Sequence, residues 1–125
     1  MKIFNQVQPW PYKVNFIDHN NVGVGYDMQQ SCCEHADWFI SKTEQEDING
    51  GNFRDDLSEE QLRYYTFDIN YFVEVDAPGL DEGGMVRFKL NNLHGEVAYL
   101  HLFNSHNGYY GHGFVMTTPS RAGSL

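Results

Sequence analysis

The chain has 125 residues, of which 41% are hydrophobic and 15% aromatic, and its formal net charge is -9. This length indicates one domain, and the composition is typical of a packed globular protein rather than a disordered one. Binding to duplex nucleic acid is not expected, because only eight lysines and arginines could neutralise phosphates. No apolar run approaches the roughly 20 residues that cross a bilayer, so no insertion into a membrane is expected.

The cysteines and the first residues of the sequence indicate the cellular compartment of the protein. The start of the chain has one lysine and no apolar core, so no signal peptide is predicted. Cys32 and Cys33 are adjacent, and adjacent cysteines can bridge each other only with strain. Reduced thiols favour a cytoplasmic location.

Acidic residues are concentrated between Glu44 and Glu60, where seven carboxylates accompany Arg54 alone. A solvated surface is the simpler interpretation. An acidic inhibitor of a basic partner protein is a further alternative for the function.

The first third of the chain predicts an antiparallel hairpin. Pro9 and Pro11 mark residues 1–11 as a lead-in without regular structure. Alternating β-branched and aromatic residues then predict strands at 13–18 and 22–28, joined by an asparagine-rich turn.

The middle of the chain combines a strand, a loop and a helix. Residues 34–41 are predicted to form a third strand, with a short helix as the alternative, and a polar, Gly-rich loop follows. Ser58 and Gln61 have the spacing of a capping box, which predicts a short helix over residues 58–65.

Three long strands are predicted next. The strand at 66–76 is the longest. In the strand at 85–90, apolar and charged residues alternate, so Arg87 and Phe88 are on opposite faces of the sheet. After a turn, residues 97–104 continue the sheet. In the longest strand, alternation places one set of residues on a single face: Phe67, Ile69, Tyr71, Val73 and Val75.

Together these elements predict a mainly β fold, borderline α+β, with a single antiparallel, meander-like sheet of about seven strands and one short helix. Residues 1–125 form a single domain, in which 117–125 are predicted to be a flexible tail. Open sheet edges favour pairing with another copy, so a homodimer is predicted.

The segment 101–114 contains three histidines, two adjacent tyrosines and three glycines. Asn107-Gly108 favours a two-residue type I′ turn, which fixes the register of a hairpin. In that register Phe103 faces His112, and His101 lies on the same face as both.

Gly111 and Gly113 share the other face of this predicted hairpin and should open a shallow slot, because glycine in a strand marks a close approach. Aromatic rings and an amide beside such a slot suit a small ligand. The predicted ligand-binding residues are His101, Phe103, Asn104, Tyr109, Tyr110 and His112, edged by Cys33 and His35.

A related pattern, Gly-x-Gly-aromatic-x-Met, occurs at both 23–28 and 111–116. An internal duplication would relate two slots by a pseudo-two-fold axis. Chance is the alternative, because glycine and asparagine are common in hairpins.

Two kinds of chemistry are alternatives to simple binding. A metal site would use His101, His112, Cys33 and His35, but no zinc-binding spacing is present, so no metal or other cofactor is expected. A thiol-dependent enzyme would use Cys33, but no feature that lowers a thiol pKa accompanies it. No catalytic residue is assigned, and a metal- or thiol-dependent enzyme is the alternative function.

The stretches QSCCEHADWFI and YLHLFNSHNGYYGHGF resemble a family of small uncharacterised proteins of bacteria and their phages. Its signatures are Cys-Cys-Glu on an early strand and Asn-Gly-Tyr-Tyr near the C-terminus. The resemblance covers residues 12–116 and implies a shared fold, without an established activity. The residues that carry it are Cys32, Cys33, Glu34, Asn107, Gly108, Tyr109 and Tyr110.

A more distant similarity, in the Asn-Gly-Tyr-Tyr hairpin and in size, is to phage proteins that sequester nucleotide second messengers without turnover. Few cations here could meet phosphates, among them Arg54, Arg63, Arg87 and Lys89. The expected function is a non-enzymatic small-ligand or protein-binding module of bacterial or phage origin.

Overall fold

The computed structural model describes residues 1–6, 12–29, 35–46, 57–76, 82–106, 111–117 and 120–125, with 82 and 106 described for their backbone alone. Within these ranges the fold is mainly β, with antiparallel pairing and one short helix, as predicted. The elements are β1 (Lys2–Gln6), β2 (Lys13–Ile17), β3 (Gly23–Asp27), β4 (His35–Ser41), α1 (Glu59–Leu62), β5 (Thr66–Val75), β6 (Glu82–Asn91), β7 (Val97–His106), β8 (Gly113–Met116) and β9 (Arg121–Ser124).

The strands form two sheets, so the prediction of a single sheet is wrong. One has five strands in the order β1-β2-β3-β8-β9, and the other has four in the order β4-β7-β6-β5. The sheets pack face to face: the rings of Phe16 and Trp38 are 5.1 Å apart, and the Tyr26 hydroxyl donates to the Phe103 carbonyl over 2.8 Å. The result is a β-sandwich whose core lies between the sheets.

The core is formed by inward-facing side chains of both sheets. Each such burial contributes about 1.5–3 kcal/mol relative to an exposed side chain. The largest fully buried hydrophobic side chains of this core are Tyr26, Phe16, Phe88, Ile40, Leu90, Leu100, Leu102 and Met116.

Both chain ends contribute strands, in place of the predicted lead-in and flexible tail. β1 and β9 form the two edges of the five-stranded sheet. β9 has the sequence Arg-Ala-Gly-Ser, and most of its side chains are exposed. An edge strand of this kind carries little hydrophobic alternation, which is why the sequence did not predict it.

β5 contains an irregularity that changes which side chains face the core. Phe67 pairs with Leu90, whereas Phe72 pairs with Phe88, so the register shifts between them. Both Phe67 and Phe72 therefore point into the sandwich, and Tyr71 and Val75 point outward. The prediction of one continuous face from Phe67 to Val75 is wrong beyond this bulge.

The predicted hairpin between residues 101–106 and 111–114 is also wrong. β7 has both edges occupied: Phe103 lies opposite Asp37 of β4 and Met85 of β6. β8 belongs to the other sheet, between β3 and β9. The preferred turn, Asn107-Gly108, lies outside the described residues, but no local turn preference can pair β8 with a strand that has no free edge.

The two Gly-x-Gly segments lie side by side as β3 and β8, with Tyr26 opposite Phe114. The similarity does not extend to the hairpins, because β2 and β3 share a sheet, whereas β7 and β8 do not. The topology therefore does not support a duplicated hairpin.

Candidate functional site

The predicted ligand-binding residues are divided between two places. His101 and Phe103 lie on the outer face of the four-stranded sheet, while Asn104 points inward. The Asn104 side-chain amide and the His112 backbone N–H both donate to the Leu125 carbonyl, over 3.1 and 2.9 Å. The structure thus brings Asn104 near His112 and His101 near Phe103, but it does not form the predicted slot.

Of the other predicted site residues, the structure describes only His35. His35 is exposed at the start of β4, edge-on against the Phe103 ring at 5.3 Å. Tyr109, Tyr110 and Cys33 are outside the described residues. In the part of the chain that the structure describes, no group of three His, Cys, Asp or Glu side chains could hold a metal ion.

The outer face of the four-stranded sheet is covered, although it faces away from the sandwich core. Phe39, Met85 and Phe103 form a second hydrophobic cluster there, each almost fully buried. Residues 42–46, which we term the strap, lie across polar residues of the same face. The strap is held by its own backbone: Gln45 N–H donates to His101 Nε2 over 3.2 Å.

Arg87 lies at the centre of the covered face, with its side chain 4% exposed. Its Nε donates to His101 Nε2 over 3.1 Å, and its Nη2 donates to the Gln45 carbonyl over 2.7 Å. The remaining nitrogen, Nη1, donates to Glu44 Oε2 over 3.1 Å and lies 3.5 Å from the Tyr71 hydroxyl. Two sides of the guanidinium are therefore fixed by the protein, and Nη1 meets a carboxylate.

His101 is neutral and serves as a hydrogen-bond acceptor. Its Nε2 receives hydrogens from Arg87 and Gln45, which assigns the ring proton to Nδ1. The ring stacks on Phe39 at 4.3 Å. Burial, followed by the charge of Arg87, lowers the pKa of His101 from 6.5 to about 3.

Glu44 completes the cluster from the solvent side, with its side chain 54% exposed. Burial raises the pKa of Tyr99, and the Glu44 carboxylate raises it further, so this hydroxyl also lies near the carboxylate. Arg87 binds this carboxylate, Tyr99 lies beside it, and the Tyr71 hydroxyl contacts Arg87 Nη1; we call this arrangement the carboxylate pocket. The carboxylate in this arrangement is the protein's own Glu44 side chain, held by Arg87 Nη1.

The sequence indicated His101 as a site residue but did not indicate the pocket. Alternation in β6 placed Arg87 opposite the core, which is the usual position of a solvated cation. One feature of the sequence could have suggested that Arg87 is buried: its neighbours in β6 are hydrophobic, and Met85 lies two residues away on the same face.

A second surface lies on the outer face of the five-stranded sheet. Gly23 and Gly25 of β3 and Gly113 of β8 form the floor of a shallow cavity of about 430 Å³, which we call the glycine trough. Ile17 and Val115 line it and are 38% and 53% exposed. The sequence predicted glycine-lined slots, but it placed one of them beside β7 instead of between β2 and β8.

In the described ranges, no helix combines the length and apolar character needed to span a membrane. Comparison with protein-family models, with curated proteins and with solved structures found no match to this chain.

Proposed function

We propose that the protein is a non-enzymatic binding protein whose small ligand presents a carboxylate to Arg87 in place of Glu44. One observation carries the proposal: an almost fully buried guanidinium is paired with a carboxylate whose side chain is more than half exposed. Arginine and carboxylate groups form strong, directional hydrogen bonds, so the same nitrogen can receive an incoming acid.

The pocket is ordered before any ligand arrives. His101 and the Gln45 carbonyl hold two sides of the Arg87 guanidinium independently of Glu44. Exchange of the internal carboxylate for an external one therefore requires only the Glu44 side chain to turn into solvent. A donor that is fixed in advance loses little entropy on binding.

The chemistry of His101 supports binding over turnover. A general base needs a pKa near the working pH and a free lone pair. The pKa of His101 is about 3, and its Nε2 already accepts hydrogen bonds from Arg87 and Gln45. Its role in the proposal is to position Arg87.

Replacement of Glu44 by alanine tests the proposal, with Glu46→Ala as the control. Glu46 is an exposed acid of the same strap, so both variants lose one negative charge. Acetate is titrated at constant ionic strength against chloride, and the signals of Gln45 N–H and Arg87 Nε–H are followed by NMR. Glu44→Ala should bind acetate at least about tenfold more tightly than wild type, since the internal competitor is absent.

The control and a double variant show whether the acetate response depends on Glu44 and Arg87. Glu46→Ala should behave like wild type, and Glu44→Ala combined with Arg87→Met should lose the acetate response. Equal responses in all variants, or an equal response to chloride, would contradict a carboxylate pocket at Arg87.

A further inference from the structure

The outer face of the five-stranded sheet carries projections and recesses next to each other. Ile17 lies directly opposite Gly23 across the β2–β3 ladder, and Val115 lies opposite Gly25 across the β3–β8 ladder. Ile17 and Val115 therefore flank β3, and the only side chain of β3 on this face is that of Asp27. Phe4, 50% exposed, extends the apolar surface onto β1.

The recesses over Gly23 and Gly113 are open above the backbone. A methyl group added at Gly113 would meet nothing closer than 3.8 Å, and one added at Gly23 would meet nothing closer than 3.5 Å. Over Gly25 the Asn15 side-chain oxygen takes up part of the space, since it would lie 2.8 Å from an added methyl group, so the open part of the trough lies over Gly23 and Gly113.

Because this face carries both projecting side chains and recesses, it can be complementary to the same face of a second copy. In a two-fold contact, residue i of one copy meets residue j of the other, and j meets i. Ile17 and Val115 of one copy would then lie over Gly23 and Gly113 of the second copy, and the reverse would hold. An unrelated partner would have to supply both shapes by coincidence.

Charge also favours a second copy on this face. Its outward positions carry Lys2, Lys13 and Asp27, a balance of +1 on a chain of net charge -9. Two copies carry the same net charge overall, but this face has no excess of negative charge, and Lys13 and Asp27 are neighbours on it. Exposed apolar patches of this kind mark interaction sites.

We infer that two copies of this chain associate through the glycine trough, with the five-stranded sheets face to face around a two-fold axis. The contact is separate from the carboxylate pocket, which lies on the outer face of the other sheet. Because like charges are screened by salt, added salt strengthens this association.

Sedimentation velocity over about 1–500 µM protein tests the inference, because this range covers moderate dimer affinities. Wild type should reach twice the 14.5 kDa mass of one chain. Val115→Lys places a charge in the trough and should leave a monomer. Leu93→Lys is the matched control, since Leu93 is 92% exposed in the β6–β7 turn, and it should associate like wild type.

A second variant probes the recess itself. Gly25→Val fills the floor, and its nearest neighbour would be the Asn15 side-chain oxygen at 2.8 Å, the end of a side chain that can turn away. It should weaken association about tenfold or more. Thermal melting of Val115→Lys and Gly25→Val should show folded proteins.

Three results would overturn the inference. The first is a wild-type monomer throughout the range, which would leave the trough to a different partner or to none. The second is a dimer that survives in Val115→Lys, which would place the contact elsewhere, such as a strand edge. The third is equal dissociation in Val115→Lys and Leu93→Lys, which would indicate a general effect of charge.

Discussion

The Nε of Arg87 donates to Nε2 of His101 over 3.1 Å, and the two residues are also direct partners in the β6–β7 ladder. A buried cation is thus held by a buried neutral base on the neighbouring strand. Through Gln45, the same pair fixes the strap over the sheet. Stability, strap order and the carboxylate pocket therefore depend on the same few hydrogen bonds.

The first prediction concerns pH. The pKa of His101 falls from 6.5 to about 3 on folding, so between these values the unfolded chain binds a proton that the native protein does not. Stability is therefore unaffected by His101 above pH 6.5 and is lost as the pH falls below it. The slope is about 1.4 kcal/mol per pH unit for this group.

His101→Gln removes this titration and keeps an acceptor for Arg87. Urea unfolding between pH 7 and pH 4 should show a shallower loss of stability for the variant than for wild type. Parallel curves would mean that other groups cause the acid sensitivity.

The second prediction concerns Arg87. Arg87→Met keeps an unbranched apolar stem but removes the guanidinium, which leaves His101 Nε2 and the Gln45 carbonyl without their strongest donor. Hydrogen bonds to charged groups contribute about 1.5–3 kcal/mol each, so we expect the loss of these two to cost about 3–6 kcal/mol in urea unfolding. Lys89→Met, two residues along β6 on the same face, should change stability by less than about 0.5 kcal/mol.

The strap gives an independent measure of the same variant. Hydrogen exchange at Gln45 N–H should accelerate in Arg87→Met and stay slow in Lys89→Met. An unchanged rate at Gln45 would show that the strap is held by contacts other than Arg87.

Local sequence signals predicted the strands well. Alternation located most of β2 to β7, and the capping box is present in the structure: Gln61 N–H donates to Ser58 Oγ, and Ser58 N–H donates to Gln61 Oε1. These features depend on neighbours within a few residues, so the local sequence is sufficient to predict them.

Pairing between distant strands could not be predicted in the same way. Tyr26 and Phe114 are partners across the β3–β8 ladder, yet nothing local in either strand specifies the other. The Asn107-Gly108 signal favoured a hairpin, and the two neighbours of β7 exclude it. Likewise, Arg87 has the sequence environment of an exposed cation, and only the strap, which folds back from beyond β4, makes it buried.

The third prediction concerns Asp18, a buried carboxylate in the β2–β3 turn. Its Oδ1 accepts from the backbone N–H groups of Asn20 and Val22, and its Oδ2 accepts from that of Phe67, each over 2.9 Å. Asp18→Ala leaves the buried donors of Val22 and Phe67 unpaired. At about 1–3 kcal/mol for each of these two unpaired buried groups, the expected loss is about 2–6 kcal/mol.

Asp68→Ala is the matched control for Asp18→Ala. Its carboxylate accepts one exposed N–H, from Asn70, so water can replace it and a loss below about 1 kcal/mol is expected. Thermal unfolding of both variants measures the contrast. Similar melting temperatures would show that the contact between the turn and β5 is not a major source of stability.

The fourth prediction concerns Gly123, where β9 passes over the Phe114 ring. A Cβ at this position would lie 2.9 Å from two ring carbons, and Phe114 is buried in the core. Gly123→Ala must therefore shift the ring or lift β9, at a cost of about 1–3 kcal/mol. Gly113→Ala, whose Cβ would meet nothing within 3.8 Å, should be nearly neutral or slightly stabilising.

A double variant separates a steric cause from a general intolerance of β9. If the Phe114 ring is the obstacle, Gly123→Ala should cost much less in a Phe114→Leu background than in wild type, and the coupling should be about 1 kcal/mol or more. Hydrogen exchange at Leu125 N–H, which donates to the His112 carbonyl over 2.8 Å, reports whether β9 has lifted. Additive costs in the double variant would show that β9 excludes alanine for a reason other than its contact with Phe114.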